Sequence, residues 1–121
     1  MAGYLTTHVL DTARGRPAAG MRVELFRLDG TDEGRSLLTA TRTNAQGRTD
    51  TPLVEEGELS WGVYELVFEV GEYFAEQPET DFADPPFLDQ VPIRFGVHDP
   101  AAHYHVPLLT SAWAYATYRG S

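Results

Sequence analysis

The chain has 121 residues, which suits one domain over 1–121 with an ordinary core and leaves little room for a second. It contains no Cys and all nine basic residues are Arg, which excludes disulfides, thiolate nucleophiles, Cys-ligated metals, Schiff-base lysines and phosphate-loop lysines. Eighteen acidic residues bring the net charge to −9, which disfavours nucleic acid and anionic membranes as partners.

In chain order, residues 1–6 show neither a basic start nor an apolar run, and no stretch approaches the length of a membrane-crossing helix. A cytoplasmic protein is expected. Residues 6–10 alternate as a strand that puts Thr6, His8 and Leu10 on one face. After the turn signal Arg14-Gly15-Arg16-Pro17, a second strand alternates Met21, Val23 and Leu25 against Arg22 and Glu24. Leu28-Asp29-Gly30 turns the chain into a third strand over 37–43, which Asn44-Ala45-Gln46-Gly47 ends.

Residues 55–89 then hold eleven acids and no base, while the rest of the chain carries all nine Arg against seven acids. The global charge therefore does not veto a small anion near the Arg-bearing segments. Within the acidic stretch Tyr64, Leu66, Phe68 and Val70 form one strand face, with Glu65 and Glu69 on the other. Only 72–77 reads as helical, tightly bounded by Gly71 and Pro78, and 78–86 is an acidic, Pro-rich surface loop. Strands follow over 91–97, 104–109 and 112–118, with His98-Asp99-Pro100 as a turn. Seven or eight short strands at this spacing predict an all-β sandwich, an architecture that hosts many unrelated activities.

Candidate chemistry rests on a few residues. His8 by itself reads as an imidazole tolerated on a half-exposed strand. His103 and His105 form His-X-His on a strand, so both rings point the same way, about 7 Å apart along the chain. That geometry suits two zinc ligands, with His8 as a third. No Cys or carboxylate pair completes the set, and acid–base work by imidazole is the stronger reading. Arg48 follows a turn, where an Arg is ordinarily a solvated charge, yet its rigid fork also suits a planar, oxygen-rich anion. The C-terminal run Ala114-Tyr115-Ala116-Thr117-Tyr118-Arg119-Gly120-Ser121 carries aromatics and a cation to its end, unlike a fraying tail.

Four motifs in order resemble those of the 5-hydroxyisourate hydrolases, the transthyretin-related proteins of purine breakdown. They are Thr7-His8-Val9-Leu10-Asp11-Thr12 with Gly15-Arg16-Pro17-Ala18, the turn Asn44 to Arg48, His103-Tyr104-His105-Val106-Pro107-Leu108-Leu109, and Tyr118-Arg119-Gly120-Ser121. The resemblance covers nearly the whole chain. It implies a transthyretin-like (prealbumin-like) β-sandwich of two four-stranded sheets with one short helix, a homotetramer with active sites at the dimer–dimer interface, and no metal or organic cofactor. Trp113-Ala114-Tyr115-Ala116 stands where family members commonly read Tyr-Gly-Tyr-Ser, a departure expected to alter packing and not chemistry.

The activity implied is hydrolysis of 5-hydroxyisourate to 2-oxo-4-hydroxy-4-carboxy-5-ureidoimidazoline in urate degradation. Carried over residue by residue, the catalytic set is His8, Arg48, His105 and Ser121, and Arg48, Tyr118, Arg119 and Gly120 bind substrate. One of His8 and His105 activates water while the other orients it or donates to the ring. Arg48 clamps the carbonyl oxygens, Ser121 assists His105, and Tyr118 and Arg119 wall the ring. The alternative is a non-enzymatic transthyretin-like carrier of a small ligand, for which apolar residues are expected where His8, Arg48 and Tyr118 stand. A structural sandwich module of surface proteins would instead predict a secretion signal and flanking linkers.

Overall fold

Alternation turns one face of each strand toward a shared core. In the computed structural model, which describes residues 2–30, 34–78 and 83–121, the strands are β1 (Tyr4–Asp11), β2 (Arg16–Pro17), β3 (Arg22–Leu28), β4 (Arg35–Arg42), β5 (Gly62–Glu69), β6 (Gln90–Val97), β7 (His103–Thr110) and β8 (Tyr115–Thr117). One helix, α1 (Val70–Ala75), follows β5. Two four-stranded sheets result, in the orders β2-β1-β7-β8 and β4-β3-β5-β6. This is the transthyretin-like sandwich expected.

Leu5, Val9, Met21, Leu25, Leu66, Phe68 and Leu108 are fully buried between the sheets. Each such side chain contributes about 1.5–3 kcal/mol by leaving water. The first sheet sets the site. β1 and β7 pair in parallel, with Tyr4 opposite His103, Thr6 opposite His105 and His8 opposite Pro107. Leu5, Thr7, Val9 and Asp11 point into the core, so Tyr4, Thr6 and His8 share the outer face with His103 and His105.

Most strand ends differ from the sequence expectations by one or two residues, and three differences are larger. The helix occupies Val70–Ala75 and not 72–77, so Val70, expected on a strand face, opens the helix instead, and Gly71 is a point of close approach and not a breaker. Its N–H donates to the Asp89 carbonyl at 2.9 Å, and a Cβ there would sit 2.9 Å from both Asp89 Oδ1 and Pro86 Cγ. The predicted last strand shortens to Tyr115–Thr117, since Ser111 Oγ accepts from the N–H groups of Trp113 and Ala114, both at 3.1 Å, and bends the chain there. The turn signal at Arg14 to Pro17 also contributes the two-residue strand β2. Residues 79–82 of the predicted acidic loop lie outside the described residues.

The end of β1 is locked to α1. Asp11, fully buried, accepts from the N–H groups of Ala13 and Arg14 through Oδ1 at 3.0 and 3.1 Å, and from the Tyr73 hydroxyl through Oδ2 at 2.9 Å. Burial, the bond to Asp11 and its negative charge push the Tyr73 phenol up to about 12, so it stays a donor well past neutral pH. Asp11→Ala strands these three donors. We expect a loss of about 3 kcal/mol of stability, read as a lower urea midpoint.

Candidate active site

The Asn44 turn delivers Arg48 to the first sheet. Asn44 Oδ1 accepts from the N–H groups of Gln46 and Arg48 at 2.9 and 3.1 Å, and the Asn44 and Arg48 main chains are joined by a 2.7 Å bond. Gly47 completes the turn at φ +77°, where a side chain would be strained and its Cβ would collide with the Val9 carbonyl oxygen. The Gly47 carbonyl in turn accepts from Val9 N–H at 2.8 Å. Turn and strand are thus stitched together, and Arg48 bridges to His8 across their edge.

Beside this turn lies a cavity of about 400 Å³ lined by Thr6, Arg48, Asp50, His103, His105 and Ser121, with Tyr4 at its margin. Among the described residues the Arg48 side chain makes no hydrogen bond or ion pair. Several other Arg are spent: Arg35 and Arg94 hold the buried Glu65 at 2.9 and 3.2 Å, and Arg42 holds Glu72 at 3.0 Å. The cations outside the acidic stretch therefore neutralise part of it, and Arg48 is left facing the cavity.

His105 sits half-buried on the cavity wall. Its Nδ1 is 2.8 Å from Thr6 Oγ1, and its main-chain carbonyl accepts from Gly120 N–H at 2.7 Å. A Cβ on Gly120 would collide with the imidazole, so glycine is what lets the tail lie flat on His105 and bring Ser121 to the cavity. Burial lowers the His105 pKa below the ordinary imidazole value, and the nearby Arg48, His103 and His8 lower it further. At neutral pH the ring is an uncharged base.

Of the residues expected from sequence, Arg48, His105 and Ser121 meet in this cavity, with Gly120 behind them. His8 stands next to it on the same strand face, its Nε2 2.9 Å from the Gln46 carbonyl oxygen. A carbonyl only accepts, so that nitrogen carries a proton. Tyr118 and Arg119 are placed elsewhere. Both line a separate cavity of about 260 Å³ with Ile93 and Phe95, and the Arg119 guanidinium stacks 4.1 Å above the Tyr104 ring. Within one chain they do not wall the His105 cavity: they lie against Ile93, Phe95 and Tyr104, and the tail reaches that cavity only at Ser121.

Thr6 and Asp50 have no assigned role from sequence, and His103, weighed as a zinc ligand behind the stronger acid–base reading, is absent from the expected catalytic set. The signal for Thr6 was its position two residues before His8 on the same face. The structure commits the His103 and His105 nitrogens to the Thr6 hydroxyl, at 2.7 and 2.8 Å. Among the described residues no group of three or more His, Asp or Glu could hold a metal ion.

The model of the HIUase/Transthyretin family matches residues 5–120. The chain is 55% identical over 123 residues to the 5-hydroxyisourate hydrolase of Deinococcus radiodurans, covering 100% of each. Its fold is similar to the structure of Klebsiella pneumoniae 5-hydroxyisourate hydrolase, with a TM-score of 0.79 at 33% identity over 98% of this chain and 94% of that one. It is also similar to the crystal structure of (S)-allantoin synthase, with a TM-score of 0.90 at 48% identity, covering 99% of this chain but 44% of that protein.

Proposed function

The chain belongs to the HIUase/transthyretin family, and from that premise we infer that it is a hydrolase that opens the ring of 5-hydroxyisourate in urate degradation. The observation that carries the reading is the meeting of Arg48, His105 and Ser121 on one cavity. Water is a poor nucleophile, and the leaving ring nitrogen needs a proton. His105 suits the base: it is neutral, and its Nε2 has no partner among the described residues. That nitrogen takes a proton from water while the oxygen adds to the carbonyl carbon. The carbon–nitrogen bond then breaks, and the His105 imidazolium returns its proton to the departing nitrogen.

His8 suits an orienting role, since its Nε2–H is tied to the Gln46 carbonyl and holds the ring in place, leaving only Nδ1 able to accept a proton. Arg48 supplies a planar cation for the oxyanion and the substrate's carbonyl oxygens. Ser121 adds a hydroxyl beside His105. Tyr118 and Arg119 shape the tail that carries it, and their contact with substrate is left to a neighbouring subunit. A homotetramer with sites between dimers belongs to this reading. Exposed aromatics around the edge strand β8 support it: Trp113, Tyr115 and Tyr118 stand 59%, 46% and 62% exposed. Assignment to the cytoplasm is part of the same reading.

The carrier alternative asks for an apolar channel, whereas the cavity wall presents a guanidinium, two imidazoles and a carboxylate. Generating 5-hydroxyisourate from urate in the cuvette and following its ultraviolet decay separates the two. Decay at least about tenfold faster than the spontaneous rate is expected, well within the range of enzymatic acceleration. A rate equal to the blank would return the chain to the carriers.

A further inference from the structure

Thr6 Oγ1 lies 2.7 Å from His103 Nε2 and 2.8 Å from His105 Nδ1. One hydroxyl, with one proton, therefore serves two imidazoles. The parallel register puts Thr6 directly opposite His105 and Tyr4 directly opposite His103. The His103 ring is stacked flat on Tyr4, with centroids 4.0 Å apart and planes 5° from parallel, which holds Nε2 toward the hydroxyl. Thr6 has no other hydrogen-bond partner for its side chain among the described residues. Both short contacts are used fully when the hydroxyl donates to one ring and accepts from the other.

The cavity decides which. His105 Nε2, the nitrogen not engaged by Thr6, belongs to a ring that shares the cavity with the unpaired Arg48 guanidinium. A positive potential favours a lone pair over an N–H dipole at that nitrogen. The proton of neutral His105 then belongs on Nδ1, donating to Thr6, and the Thr6 proton goes to His103 Nε2. His103 carries its own proton on Nδ1.

Resting on the hydrolase reading above, we propose that Thr6 and His103 are positioning residues that keep the His105 proton on Nδ1 and leave Nε2 bare to take the proton of the attacking water. When it does so, the O–H bond of water breaks and an N–H bond forms at Nε2, giving an imidazolium whose Nδ1–H still rests on Thr6. His103 touches no reacting atom. It fixes the direction in which the hydroxyl points.

The test uses the whole protein with nitrogen-15-labelled imidazoles, in long-range proton–nitrogen spectra at mildly alkaline pH, together with kcat/KM. In the wild type His105 is expected as the Nδ1–H tautomer. Thr6→Val keeps the branched shape and removes the hydroxyl. It should shift His105 toward Nε2–H and lower kcat/KM about 10²-fold, the lower end of what a positioned base contributes. Thr6→Ser should restore both tautomer and rate.

His103→Phe keeps the stack on Tyr4 and removes the acceptor. It should weaken the Nδ1–H preference and cost kcat/KM about tenfold, and it serves should Thr6→Val fold poorly. A wild-type His105 protonated on Nε2, or variants with unchanged tautomer and rate, would overturn the assignment. The spectra need no substrate, so failure of the hydrolase reading, seen as a wild-type rate equal to the blank, is told apart from failure of this one.

Discussion

His105→Asn is expected to lower kcat by about 10²–10⁴-fold, the range a positioned acid–base group contributes. Asparagine is close to histidine in reach and can still bond to Thr6, yet its amide cannot accept a proton from water near neutral pH. The fold should survive, because the contacts that organise this corner are main-chain ones. Gly120 N–H binds the residue 105 carbonyl, and the parallel β1–β7 ladder runs past it without using the ring. Unchanged circular dichroism and oligomeric state, measured with the kinetics, separate lost chemistry from lost structure. Full turnover by a folded His105→Asn protein would remove His105 as the base. His8, whose Nε2–H is bound to the Gln46 carbonyl, would then have to act through Nδ1.

The same residues show what could be read before folding. The face shared by Thr6 and His8 and the face shared by His103 and His105 are local facts of a two-residue period. Their meeting is not local. It depends on β1 pairing in parallel with a strand almost a hundred residues away, in a register that sets Thr6 against His105. No spacing in the sequence encodes that register, so the shared hydroxyl stayed hidden and His103 was left outside the expected catalytic set. Arg48 was legible through its turn: Asn44 and Gly47 are demanded by the backbone there, and the residue after them is carried along.

The tail was legible as a motif but not as geometry. Gly120 and Ser121 turn to the His105 cavity, while Arg119 stacks on Tyr104 in the other. Gly71 misled for a related reason. As a local signal it marks a helix boundary, and only the approach of Pro86 and Asp89 shows why the helix includes it. The acidic run was likewise too coarse a unit. Glu65 lies within it yet is held by Arg35 and Arg94 from outside, so charge along the chain differs from charge in space.

Arg48→Ala should cost about 10²–10³-fold in kcat/KM, the loss that follows when a preorganised oxyanion donor is removed. It should also move the pH profile, in a direction the structure fixes. The Arg48 cation disfavours the His105 imidazolium and is one cause of its lowered pKa, after burial and ahead of His103 and His8. Without Arg48 the imidazolium forms at higher pH, so the acid limb of kcat/KM shifts upward and less base is present under mildly acidic conditions. Burial remains, so the limb should stay below the ordinary imidazole value. Arg48→Lys separates the two effects. An ammonium keeps the charge and should hold the limb near its wild-type position, but it lacks the planar fork and should recover only part of the rate. Full activity in the alanine variant would end the clamp assignment. A limb that stays put in Arg48→Ala would mean that Arg48 acts on the substrate alone and leaves the His105 proton untouched.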